Sequence, residues 1–127
     1  MSLQEYFEGT KGLGVLATSD SEGNVDVAIY SRPHVMEDGS LALIMRDRLS
    51  HKNLQSNPKA AYLFKEEGQG YQGKRLFLKK IKEEQDTDRI QELRRRTYPD
   101  DETARAESKF LVFFALEKEL PLIGPGK

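Results

Sequence analysis

The chain has 127 residues, with 20 lysines and arginines against 21 aspartates and glutamates, a formal net charge of −1, and no cysteine. That length suits one domain with a single core over residues 1–127, and the missing cysteine excludes disulfides, thiolate metal sites and cysteine nucleophiles. Near-balanced charge argues against a chain-wide nucleic-acid footprint, and no apolar run approaches the ~20 residues of a membrane span. With no signal peptide ahead of Leu3, a cytoplasmic protein with no membrane partner is the expectation.

Ser2 is a plausible N-cap for one or two turns of helix, with Leu3, Tyr6 and Phe7 on the apolar side. Gly9, Gly12 and Gly14 then read as a flexible turn; their order is not a dinucleotide-binding fingerprint. Val15 to Ser19 is the first expected strand, and Asp20 to Asn24 is turn chemistry. Val25 to Arg32 returns as a second strand, with Val25, Val27 and Ile29 on one face and Asp26, Ala28 and Tyr30 on the other. Pro33 implies an edge or a bend. Met36 to Ser40 is a tight turn in which Gly39 is free to take positive φ.

Leu41 to Phe64 is the stretch around which the chain is organised: a strand over Leu41–Arg46, a basic turn, a short helix, and a strand from Lys59. Ser50 is the expected N-cap of a helix beginning at His51, and Pro58 ends it. Arg46, Arg48, Ser50, His51 and Lys52 thus gather where a helix opens. Free N–H groups and a partial positive charge make such an end a seat for phosphate. A merely capped helix with solvated charges is the plainer alternative.

Beyond it, Gly68 to Lys74 nearly spells a nucleotide phosphate loop, but Arg75 stands where the hydroxyl is needed and a strand follows in place of a helix. Arg75 to Glu83 reads as a strand. Asp86 or Thr87 then caps a helix to about Thr97, closed by Arg94, Arg95 and Arg96, and Asp100 to Glu107 is a charged connector. Phe110 to Leu116 is apolar throughout, so both faces of that strand need cover; one can fill a barrel, and a second subunit is one cover for the other. Leu120 to Gly126 is an apolar tail outside regular structure. The sum is a mainly β fold, about six short strands with two or three short helices, in a closed or nearly closed β-barrel.

The run Ser50-His51-Lys52-Asn53-Leu54, then Asn57-Pro58 and the strand Ala60–Phe64, resembles the S-x-K…N-P segment of the FMN-binding split barrels, the superfamily of pyridoxamine 5′-phosphate oxidase. The resemblance spans about Gly14 to Leu120 and implies a six-stranded split barrel, a homodimer with flavin mononucleotide at the subunit interface, and a flavin-dependent reductase or oxidase on an unknown small substrate. Carried residue by residue, it marks Ile29, Tyr30, Ser31 and Arg32, then Met45 and Arg46, then Ser50, His51 and Lys52 as cofactor-binding, with Arg75 reaching the flavin from a neighbouring strand or subunit.

Met45 and Arg46 depart from the small polar or aromatic residues of the oxidase. The chain also stops at Lys127 without the oxidase's longer C-terminal region, so vitamin B6 oxidation is not expected. No residue stands out as a general acid, which makes a flavin carrier or sensor without turnover an alternative, and no metal site is expected; the resemblance also admits a deazaflavin or heme in place of FMN. A small barrel binding single-stranded nucleic acid through Arg46, Arg48, Lys52, Lys74 and Arg75 with Tyr30, Tyr62 and Tyr71 is the rival from another class; the near-zero net charge weighs against it.

Overall fold

Seven antiparallel strands form one curled sheet in the computed structural model, which describes residues 2–85, 88, 90, 92 and 109–124. The elements are α1 (Leu3–Gly9), β1 (Gly12–Ser19), β2 (Val25–Tyr30), β3 (His34–Val35), β4 (Leu41–Arg46), α2 (Leu49–Ser56), β5 (Lys59–Glu66), β6 (Gly73–Gln85) and β7 (Lys109–Pro121). The strand order β2-β1-β5-β6-β7-β4-β3 leaves β2 and β3 as edges, and α2 packs against β1, β2 and β4, bridging the two sides of the curl. The expected count of six rises to seven because the link after β2 makes a two-residue strand on Leu41 and Ala42. Pro33 sits in that link, which ends β2 at Tyr30 instead of Arg32.

The core lies inside the curl, where alternate residues of β1, β4, β5, β6 and β7 converge. Leu41, Leu43 and Met45 of β4 stand opposite Phe114, Val112 and Phe110 of β7, and Phe7 of α1 packs edge-on against Tyr62 and Phe64. Ser2 and Glu5 form a reciprocal capping box that starts α1, as the sequence implies. Gly12 and Gly14 are corrected from turn to strand. A Cβ on Gly14 would sit 1.9 Å from the Tyr62 hydroxyl, so the glycine makes room for a buried ring.

The second face of β7 carries Leu111 and Phe113, which cluster with Ala42 and Ile90. Asp88, Ile90 and Glu92 are helical, and Ile90 packs on this face within the chain. The rest of the helix expected to about Thr97, with its arginine run and the connector, falls outside the described residues. The tail is also corrected: Leu120 and Pro121 pair with Arg75 and Lys74 as the end of β7.

Exposed apolar side chains gather elsewhere. On β2, Val25, Val27 and Ile29 are 81%, 68% and 75% exposed, while Asp26, Ala28 and Tyr30 turn inward. Register continues the outward row across the sheet, Ile29 beside Val15 and Val15 beside Leu63, then Val27 beside Ala17 and Ala17 beside Ala61. No helix among the described residues is long and apolar enough to cross a membrane.

Candidate functional site

The cations expected to collect at a helix start do so at α2, but the cap differs. The helix opens at Leu49 with Arg48 as N-cap in extended conformation, and no side chain caps it. Its first intrahelical bond runs from Lys52 N–H to the Arg48 carbonyl at 3.0 Å. The N–H groups of Leu49, Ser50 and His51 therefore have no intrahelical acceptor, and Lys52 is exposed in the same turn. Arg46, Asp47 and Arg48, the link from β4, are exposed too.

Ser50 cannot cap because it lies inside the first turn and faces the sheet. It is 3% exposed, its hydroxyl 3.5 Å from Asp26 Oδ2 on β2. The Tyr30 phenol joins this cluster. Burial pushes its pKa up, a hydrogen bond with Ser50 opposes that, and the Asp26 charge adds to it. One turn on, Asn53 donates to the Thr18 hydroxyl at 3.0 Å and Leu54 enters the core. The inner face of α2 is thus bound to β1 and β2, while its start stays open.

His51 is buried and stacks on Phe110 with centroids 3.8 Å apart. Its Nδ1 is 3.2 Å from Asp47 Oδ1 and its Nε2 2.9 Å from Glu83 Oε2. Burial opposes charge on Glu83, yet hydrogen bonds from Lys80, Gln55 and His51 outweigh it and hold the carboxyl down at about 2.

The remaining predicted residues divide. Ile29 points outward and Met45 is enclosed in the core. Ser31 offers its carbonyl to the Tyr62 hydroxyl at 3.0 Å. Arg32 donates from Nη1 to the Phe7 and Thr10 carbonyls at 2.7 and 2.9 Å, closing the C-terminal end of α1, which has no basic residue of its own. Arg75 donates to the Pro121 carbonyl at 2.9 Å and to the Gly124 carbonyl, so its fork holds the C-terminal turn.

Tyr30, Ser50, Arg46, His51 and Lys52 are therefore grouped at the start of α2. Ser31 and Arg32 lie just beyond Tyr30 in a cleft of about 400 Å³ between α1 and the β2–β3 link, walled also by Phe7, Pro33 and Met36. Asp26, Asp47 and Glu83 contact these residues, and Asn53 follows in the next turn of α2; none of the four is among the residues expected from the sequence. Asp47 had a signal in its four-residue spacing from His51, and Asn53 in its place within the Ser50–Leu54 run.

No family model matches the chain, and no curated protein matches it by sequence. Its fold matches solved structures. An FMN-binding protein from Syntrophomonas wolfei subsp. wolfei aligns at TM-score 0.73 and 18% identity, over 98% of this chain and 86% of that one. HupZ of Group A Streptococcus aligns at 0.72 and 13%, over 98% and 94%. An F420 reductase aligns at 0.69 and 16%, over 91% and 94%. At these identities the likeness establishes the fold, a split barrel, in agreement with the motif around Ser50.

Proposed function

We propose that this split barrel is an FMN-binding flavoprotein of the oxidoreductase class, working as a homodimer on a small substrate. The observation that carries the reading is the uncapped start of α2, where three N–H groups without intrahelical acceptors stand beside exposed Lys52. A phosphate monoester carries close to two negative charges and suits such an end, with Arg46 or Arg48 as a planar fork. The neighbours whose names include FMN and F420 support a flavin-type ligand.

Fit to the whole cofactor is uneven. Lys52 and the helix N–H groups would hold the phosphate, whereas the Ser50 hydroxyl faces Asp26 and could serve only after turning. The end of β2 links the helix start to the cleft, since Tyr30 meets Ser50 and Ser31 and Arg32 line the cleft; the ring would lie along this path. Met45 would contribute backbone alone. When bound, a flavin supplies two-electron hydride chemistry, and these residues supply position and electrostatics. The exposed row of Val25, Val27, Ile29 and Leu63 is the face given to the second copy, since a patch of that kind needs cover.

A second reading, a flavin carrier without turnover, is favoured by one observation: the two groups suited to proton transfer, His51 and Tyr30, are both engaged. Purified protein should show flavin bands at about 370 and 450 nm and should retain FMN over riboflavin, which lacks the phosphate. Equal retention of the two would remove the phosphate seat. Bleaching by reduced nicotinamide separates a reductase from a carrier. A Soret band would mark heme, and a single band at about 420 nm a deazaflavin.

A further inference from the structure

The hydrogen-bond partners around His51 point to a doubly protonated ring. The Gln55 amide nitrogen has two hydrogens and two acceptors, Glu83 Oε1 and the His51 carbonyl, each at 3.0 Å. Exchanging the amide oxygen and nitrogen would set oxygen against both acceptors, so the orientation is settled. The same nitrogen lies 3.1 Å from His51 Nε2 but has no hydrogen left for it. Nε2 therefore donates to Glu83, and Nδ1 faces a second carboxylate, that of Asp47, an arrangement that favours a donor there too. A neutral imidazole has one N–H, so a ring flanked by two carboxylates is best matched as imidazolium.

The surroundings suit that cation. From β6 come Glu83 and Lys80, the latter bonded to Glu83 Oε1 at 2.5 Å; from β7 comes the Phe110 ring face; from the link ahead of α2 comes Asp47.

We propose that His51 is a proton-operated clasp that ties α2 to β6 and sets the charge Asp47 presents at the start of α2. The proposal rests on the reading of that helix start as a phosphate seat. When the proton leaves, one carboxylate must face a lone pair. Asp47, 70% exposed, is free to turn into water, whereas Glu83 is held by Lys80 and Gln55. Asp47 then keeps its charge without the imidazolium, one residue before the N-cap and between Arg46 and Arg48, where it offsets their pull on a bound anion. Anion affinity should fall as pH rises. A phosphate ester gains charge over the same range, its second pKa being about 6, and pulls the other way, so sulfate, a dianion throughout, is the clean probe.

The test uses the full chain, with imidazole ¹⁵N NMR and sulfate and FMN titrations at pH 6 and pH 9, on wild type and Asp47→Asn. His34 is the only other histidine, so the ring signals can be assigned. The expected result is two protonated ring nitrogens on His51 at pH 6 and one at pH 9. Sulfate should bind about three- to fivefold more weakly to wild type at pH 9, and about equally to Asp47→Asn at both. A neutral His51 at pH 6 with sulfate bound overturns the clasp and spares the seat. A doubly protonated His51 with neither sulfate nor FMN bound at either pH removes the seat, and the switch with it. The same pH dependence in wild type and Asp47→Asn overturns the role of Asp47.

Discussion

Two strands carry rows of apolar side chains, and the fold uses them in opposite ways. On β7, Phe110, Val112 and Phe114 fill the curl while Leu111 and Phe113 lie beneath Ile90, so both faces are dry. On β2 the apolar row Val25, Val27 and Ile29 faces out and Asp26 and Tyr30 face in. The difference lies in the neighbours. β7 sits between β6 and β4, deep in the sheet, whereas β2 is an edge whose inner side meets the polar face of α2. Asp26 and Tyr30 are turned inward because Ser50 is there to bond with them. The apolar residues of β2 stay exposed among the described residues.

The contrast breaks most heavily at β7. Phe114→Ala removes a fully buried ring and should cost about 3–5 kcal/mol in urea unfolding, at any protein concentration. Val27→Lys tests the opposite claim for β2. It should weaken self-association by at least about 2 kcal/mol, read by sedimentation equilibrium, while the monomer's unfolding midpoint stays put. A lower midpoint with unchanged association would place the row in service of the chain's own fold.

Legibility in the sequence followed the same division. Alternation and turn residues located β1, β2, β4 and β5 to within a few residues, because those signals are local. The motif from Ser50 to Pro58 placed a helix between β4 and β5 and led to the split barrel. Which face of β2 is inside was not legible, since it depends on Ser50 arriving from a distant helix. Ser50 was read as a cap from its letter, yet a serine facing an aspartate from another strand is drawn into the first turn, and the cap moves back to Arg48. Arg32 and Arg75 were read as cofactor residues by resemblance, and here their forks hold the ends of α1 and of the chain's last described turn. Two-residue β3 is too short for any periodicity to register.

The opposition repeats within α2, whose inner face is bonded to strands while its start is open. Lys52→Ala should therefore weaken FMN retention by about 1.5–3 kcal/mol, the scale of a charge-assisted hydrogen bond. It should change urea unfolding by less than about 0.5 kcal/mol, because Lys52 is exposed. Wild-type retention in that variant would detach the phosphate from this helix.

The last effect is set by pH at the joint between α2 and β6. Lys80, Gln55 and His51 hold the Glu83 carboxyl at about 2, against an ordinary 4.5, although burial alone would raise it. The folded value lies below the unfolded one, so on acidification the unfolded chain takes up this proton first. The stability it contributes is complete above about pH 4.5 and drains away as pH falls toward 2. Glu83→Gln removes that titration, so its urea midpoint, plotted from pH 6 to pH 2, should fall less steeply than the wild-type curve. Some acid slope must persist in the variant, because hydrogen bonds to Ser40 and Asn24 also hold Asp38 and Asp20 low. Parallel curves would mean that Glu83 gains nothing on folding, and that α2 is fixed by its contacts with β1, β2 and β4 without it.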